Sequence, residues 1–60
     1  MNEELSELIR DMDIPDMRRD LSSRRNLEWL DRNMFVRNRE HPNFESANNL
    51  LRTILRSGGR

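Results

Sequence analysis

The chain has 60 residues, no net charge at pH 7 and no cysteine. Disulfide bridges are therefore excluded, and a single histidine argues against a structural zinc site, which needs several cysteine or histidine ligands. Hydrophobic residues make up only 33% of the chain, so we expect one modest core in a single small domain over residues 1–60. Because a chain this short buries only about 60% of its unfolded surface, its stability must come from close helix packing or from oligomerisation.

The N-terminal segment, about residues 2–12, has the apolar spacing of a short amphipathic helix. Its apolar residues recur at i, i+3, i+4 and i+7, and they are Leu5, Leu8, Ile9 and Met12. Asn2 is placed to cap this helix. A helix of this length is marginal in water by itself, so its apolar stripe must dock on its own chain or on a second one. We predict that these four apolar residues mediate self-association.

The segment from about residue 16 to residue 38 predicts a second, longer helix, because it contains no glycine and no internal proline. Pro15 suits the first turn of such a helix, where an amide proton is not needed. Ser22 and Ser23 are its weakest point, and the sequence leaves open whether the helix continues through them. Apolar residues lie on several sides of this helix, so it needs more than one neighbour.

The third helix, about residues 43–56, has the clearest pattern in the chain. Its apolar stripe consists of Phe44, Ala47, Leu50, Leu51, Ile54 and Leu55. His41 or Asn43 is predicted to cap its start. Gly58 is predicted to end it in a left-handed conformation, which leaves residues 57–60 as a flexible tail.

Together these segments predict an all-α fold. It is an antiparallel helical hairpin, about 16–38 and 43–56, preceded by a short helix, about 2–12. The third helix spans only about 21 Å and cannot cover all of the second. The alternatives are a three-helix monomer and, as the favoured arrangement, a helical-bundle homodimer. Residues 1–16 hold six acids and residues 17–39 hold seven bases, which favours docking of each acidic first helix on the basic middle helix of a neighbour.

The sequence contains no recognisable pattern for catalysis. Cysteine, lysine and tyrosine are absent, and no serine has the context of a nucleophile elbow. His41 is expected to be a loop or capping residue rather than an acid–base group. The aspartates between residues 11 and 20 fail the EF-hand spacing, since Pro15 falls where a ligand is needed. We expect a non-enzymatic protein with no cofactor, no metal and no small-molecule substrate.

An arginine stripe on the second helix is the strongest candidate for a binding surface. Its arginines are seven residues apart, so on a continuous helix they drift only about 20° per heptad. The candidate partner-binding residues are Arg18, Arg25, Trp29, Arg32, Val36 and Arg39. The alternative is a solvated face with a core tryptophan, because i,i+4 pairs Asp20–Arg24 and Glu28–Arg32 would neutralise part of the stripe.

The small size, the apolar residues on several sides of the second helix and the lack of a catalytic pattern predict a protein-interaction module, such as an adaptor, an inhibitor or an assembly factor. The alternative is a nucleic-acid-binding regulator that uses the arginine-rich face, since arginine pairs with phosphate as well as with carboxylate. Zero net charge argues against the alternative, because binding to a phosphate backbone depends on the release of counterions. Another protein is therefore the favoured partner, beside a second copy of the chain.

Two features predict a cytoplasmic location. The longest apolar run has only three residues, far short of the about 20 that span a membrane. The acidic N-terminus also lacks the positive region of a signal peptide. We therefore expect no membrane partner. Small size and a lack of cysteine are also typical of accessory proteins of phages and mobile elements.

Overall fold

The computed structural model describes residues 3–57, which form three α-helices and one 3-10 turn. The elements are α1 (Glu3–Ile9), the 3-10 turn (Asp16–Arg18), α2 (Arg24–Asn38) and α3 (Phe44–Ser57). No strand occurs in this part of the chain, so the all-α prediction is confirmed. α3 is the central element, because it packs against both α1 and α2. None of these helices is both long and apolar enough to cross a lipid bilayer.

The core combines apolar side chains from all three helices and from the linker, residues 10–23, that joins α1 to α2. The buried members are Leu5, Ile9, Met12, Ile14, Leu21, Leu27, Leu30, Met34, Ala47 and Leu51. Phe35 and Phe44 close the hairpin edge to face, with ring centroids 4.8 Å apart. Each fully buried leucine contributes roughly 1.5–3 kcal/mol of burial free energy, so this core is the main source of stability.

The second helix begins at Arg24, and the prediction of a helix from about residue 16 is wrong for its first part. Ser23 is extended, with φ −91° and ψ 120°, and its hydroxyl accepts the N–H of Asn26 as an N-cap. Just before it, the Asp20 carboxylate accepts the N–H and the hydroxyl of Ser22 at 3.2 and 2.6 Å. These local side-chain bonds compete with helix, which explains the boundary.

The other helix ends lie close to the predicted positions. α1 stops at Ile9 rather than at Met12, although Met12 is still buried. α3 begins at Phe44, after a turn in which His41 Nδ1 accepts the N–H of Asn43 at 3.0 Å. His41 is therefore a turn residue, as predicted.

Two predicted features of the chain ends fall partly or wholly outside the described residues. The cap at Asn2 and the cap at Gly58 both lie outside them. Of the predicted tail 57–60, the structure describes only Ser57, which is the last residue of α3.

One guanidinium group makes several hydrogen bonds to the end of α1 and to the linker that follows it. Arg19 donates hydrogen bonds to the main-chain oxygens of Ile9, Arg10, Met12 and Ile14, at 3.4, 3.4, 2.9 and 3.1 Å. The end of a helix leaves such carbonyl groups unpaired, and a positive charge is favourable there. Arg19 thus closes α1 and fixes the path of the chain that follows.

Two buried asparagines hold the linker to α2. The amide of Asn38 pairs with the main chain of Asp13, accepting its N–H at 2.8 Å and donating to its carbonyl at 3.4 Å. Asn26 Nδ2 donates to the carbonyls of Met17 and Asp20, both at 3.2 Å. Buried amides need such partners, so both residues fix where the linker crosses α2.

Candidate binding surface

The structure separates Arg18 from the other arginines of the predicted stripe. Arg18 lies in the 3-10 turn, so the helix is not continuous from Arg18 to the other arginines, a question that the sequence left open. Arg25 and Arg32 lie on α2, and Arg39 follows as its C-cap with helical φ and ψ of −53° and −38°. These three exposed residues, the arginine row, keep the heptad spacing over about 21 Å.

The linker nevertheless brings Arg18 to Trp29. The guanidinium carbon of Arg18 lies 5.1 Å from the centroid of the Trp29 ring, within the range of a cation–π interaction. Arg18 also donates to Asn26 Oδ1 at 3.3 Å, which holds it in place. Trp29 is half-buried, packing against the core while part of its surface stays exposed. The contact between Arg18 and Trp29 therefore depends on the path of the linker and not on heptad spacing along one helix.

The two predicted neutralising pairs on α2 do not form. Because Asp20 precedes the helix, it binds Ser22 instead of Arg24. The two hydrogen bonds from Ser22 hold the pKa of the Asp20 carboxyl below its ordinary value. Glu28 pairs with Arg24 at 3.2 Å instead of with Arg32.

The arginine row has no acidic partner within residues 3–57. The ion pairs of this region are Arg19–Asp16, Arg24–Glu28, Arg37–Asp13 and Arg52–Asp31. None of them involves a member of the row, although three of them neutralise other arginines of α2 and α3. The charge of the row is thus not compensated by the part of the chain that the structure describes.

Helix α1 presents the opposite charge, which is equally uncompensated. Its exposed acidic residues, which we call the acidic patch, are Glu3, Glu4, Glu7 and, in the turn after α1, Asp11. None of them forms an ion pair within the described range. No Cα atom of α1 lies within 8 Å of a Cα atom of α2, because α1 packs against α3. The acidic patch and the arginine row therefore do not meet inside one chain.

A cleft of about 260 Å³ opens between the linker and α2, next to Trp29 and Val36. Its apolar lining comes from Ile14, Trp29, Met34 and Val36, and an ion pair between Asp13 and Arg37 at 3.2 Å lies on its polar side. Val36 is 74% exposed, which is unusual for a large apolar side chain. Small-molecule sites commonly measure about 300–1,000 Å³, so the cleft suits one side chain of a partner better than a complete ligand.

The turn between α2 and α3 forms a wider depression of about 480 Å³, lined in part by His41, Phe44 and Asn48. His41 is half-buried there, and its Nδ1 is already an acceptor for a main-chain N–H. Within residues 3–57, no group of three or more histidine, aspartate or glutamate side chains is arranged to hold a metal ion. The exposed arginine row and the exposed Val36 make the α2 surface the better candidate site.

The four residues predicted to mediate self-association lie in the core of their own chain. Leu5, Ile9 and Met12 are buried, and Leu8 is half-buried against the core. A dimer that used these side chains would have to exchange α1 between two chains, as in a domain swap. Their role in self-association stays a prediction.

Sequence reasoning missed the residues that hold the linker, Arg19, Asn26 and Asn38. A signal for the asparagines was present, because both share the apolar stripe of Leu30 and Met34 at multiples of four residues. A polar residue within such a stripe indicates a buried hydrogen bond. Arg19 had no such signal, since its acceptors are main-chain oxygens in and around a linker without periodicity.

Comparison of the chain with protein-family models, with curated proteins and with solved structures finds no match. The function is therefore inferred from the residues and their geometry alone.

Proposed function

We propose that this chain is a cytoplasmic, non-enzymatic protein-interaction module that binds an acidic protein surface through the arginine row and Trp29. One observation carries the proposal: Arg25, Arg32 and Arg39 are exposed at heptad spacing and have no acidic partner within residues 3–57. Arginine offers a planar fork that pairs with carboxylates in a defined geometry, so a row of free arginines suits an acidic partner.

The composition of this surface supports binding over simple solvation. A solvated helix face usually mixes charges of both signs in i,i+4 pairs, as Arg24 and Glu28 do at the start of α2. The row instead flanks an exposed valine, Val36, and a half-buried tryptophan, Trp29. Arginine and tryptophan are enriched in protein interfaces, whereas glutamate and aspartate are depleted there.

The two kinds of residue contribute differently to the proposed binding. An exposed ion pair adds only about 0–1 kcal/mol, so the arginines mainly set the orientation and the choice of partner. Burial of apolar area on Val36 and Trp29 supplies most of the affinity. The cleft beside them accommodates an apolar side chain of the partner.

A nucleic acid is the second candidate partner, because the free arginines would pair with phosphates in the same way. Three phosphate contacts are few, and the exposed acidic patch on the same small chain opposes a polyanion. Such binding would fall steeply with salt, since it depends on counterion release. We therefore favour a protein, and the test below separates the two.

The test is affinity capture from a lysate of the source organism with three forms of the full chain. They are the wild type, R25E/R32E and the control R10E/R56E, which makes the same charge change at two exposed arginines outside the row. We expect the wild type and the control to retain the same protein, R25E/R32E to lose it, and nuclease to have no effect. Loss on nuclease treatment would identify a nucleic-acid partner, and equal retention by all three forms would contradict the proposal.

A further inference from the structure

We infer that a second copy of this chain occupies the arginine row through its acidic patch, forming a dimer in which each protomer docks its α1 on the partner's α2. This inference rests on the proposed function, because it names the partner at the same surface. It differs from an exchange of α1 between chains, since every α1 here stays packed on its own α3.

The orientation of α1 makes its acidic face available to a partner. Leu5 and Ile9 are buried against the rest of the chain, at 0% and 2% exposure, so the opposite side of this short helix must face outward. That side carries Glu3 and Glu7, and Asp11 is exposed in the following turn. The chain thus displays two uncompensated surfaces of opposite sign.

These two surfaces do not neutralise each other within one chain. α1 is fixed by the Arg19 hydrogen bonds at its end and by a bond from Asn43 Nδ2 to the carbonyl of Leu8 at 3.3 Å. Moving α1 onto α2 would break these bonds and expose the buried Leu5 and Ile9. A second chain can supply the missing charge without any such rearrangement.

α1 is long enough to cover two of the three arginines of the row. The seven residues of α1 span about 10 Å, which is also the rise from Arg25 to Arg32 along α2. In a two-fold symmetric dimer the contact occurs twice, so both surfaces of both chains are used and the assembly closes. Val36 lies one turn beyond Arg32, between it and Arg39, and it adds apolar burial where the contact extends past Arg32.

The first experiment is analytical ultracentrifugation of the full chain over a range of concentrations at low ionic strength. We expect the mass to rise from that of the 7.3 kDa chain towards twice that value. At about 0.5 M salt, where charges are screened within a few ångström, we expect the equilibrium to shift towards the monomer.

Charge reversal then tests which surfaces meet. R25E/R32E makes α2 acidic, and E7R/D11R removes the net negative charge of the acidic patch and places two arginines opposite the row, while leaving the first turn of α1 unchanged. We expect each variant alone to associate at least about tenfold more weakly than the wild type, because like charges face each other. Mixed together, the two variants restore both contacts of the dimer, and we expect a heterodimer of near wild-type affinity. The control R56E, at an exposed arginine of α3 that belongs to neither surface, should associate like the wild type.

The outcomes separate this inference from the proposed function. A wild-type chain that stays monomeric at low salt, yet still captures a protein through Arg25 and Arg32, overturns the inference and leaves the proposed function intact. A dimer that R25E/R32E and E7R/D11R form as well as the wild type also overturns it, because another face is then used. If each variant alone dimerises weakly and the mixture dimerises like the wild type, the inference is supported. If no other protein is captured in that case, a role toward other partners is contradicted. Circular dichroism of each variant verifies that the helices are still formed.

Discussion

Two sets of polar residues on α2 differ in their partners: the buried asparagines that face the linker have hydrogen-bond partners, and the arginine row on the outer side has no ion-pair partner within residues 3–57. Asn26 and Asn38 are buried, and their amides bond to the main chain of the linker. Arg25, Arg32 and Arg39 are exposed and have no ion pair within residues 3–57. The hydrogen bonds of the two asparagines stabilise the fold. The arginine row makes no ion pair that would stabilise it, which points to a role in binding.

Mutations on the two sides of α2 should therefore have different effects. Substitutions on the linker side should lower the free energy of unfolding and leave the outer face unchanged. Substitutions on the outer side should lower association and leave stability unchanged. Trp29 lies between the two sides, because it packs against the core and also contacts Arg18.

The largest effect is expected for Trp29→Ala, which should lower both stability and association. The loss of core packing and of the cation–π contact should cost about 3 kcal/mol of unfolding free energy. Chemical denaturation followed by circular dichroism measures the first loss, and sedimentation measures the second. Val36→Ala is the matched control on the exposed side, and it should weaken association without changing the denaturation midpoint. An unchanged midpoint in Trp29→Ala would show that Trp29 is not part of the core.

Arg19→Met should cost about 2 kcal/mol of unfolding free energy, because four main-chain oxygens lose their charged donor. Methionine keeps the length of the apolar stem, so the change isolates the guanidinium group. The control is Arg32→Met, the same substitution at an exposed arginine without a partner, and it should stay within about 0.5 kcal/mol of the wild type. Equal losses in both variants would contradict a structural role for Arg19.

Asn38→Ala should cost about 1 kcal/mol and should act locally, because it removes the partner of the Asp13 N–H. Native-state hydrogen exchange should show faster exchange of the Asp13 amide, with little change in α3. Asn49→Ala, at an exposed position of α3, is the control and should leave the Asp13 amide protected. Unchanged protection in Asn38→Ala would mean that the linker is held by other contacts.

The smallest effect is expected for Ser22→Ala, which removes the hydroxyl that donates to Asp20. The pKa of Asp20 is lowered by this bond and by the Ser22 N–H, so it should rise towards its ordinary value in the variant. Because the folded pKa is lowered, this carboxylate stabilises the fold above its unfolded pKa, and that contribution is lost as pH falls through the lowered value. An NMR titration of the Asp20 carboxyl carbon measures the change. Ser57→Ala, whose hydroxyl donates to Ile54, should leave the titration unchanged.

The sequence predicted those parts of the fold that depend on apolar periodicity. α3 begins and ends within one residue of the predicted bounds, and α2 ends at Asn38 as expected. The start of α2 was missed because Ser23 and Asp20 form local hydrogen bonds that stop a helix. Such bonds depend on side-chain geometry, and the spacing of apolar residues carries no information about it.

The sequence also predicted only part of the candidate site, the arginine row, and not the contact between Arg18 and Trp29. Arg25, Arg32 and Arg39 share a face because α2 is continuous between them, so their spacing was informative. Arg18 reaches Trp29 by a different route, through a linker whose path is set by hydrogen bonds to its main chain. Every residue has the same main-chain carbonyl oxygen. The sequence therefore does not indicate which carbonyl groups accept these hydrogen bonds, and only the folded structure does.

The most direct test of the difference between the two sides of α2 is a concentration series of ¹⁵N NMR spectra of the wild-type chain at low salt. Self-association through the outer face predicts that the side-chain Nε–Hε signals of Arg25 and Arg32 and the amides of Val36 and Glu7 shift as concentration rises. The amides of Asp13 and Met17, on the linker, should stay in place. Shifts concentrated on the linker, or no shifts on the outer face at any concentration, would contradict this assignment.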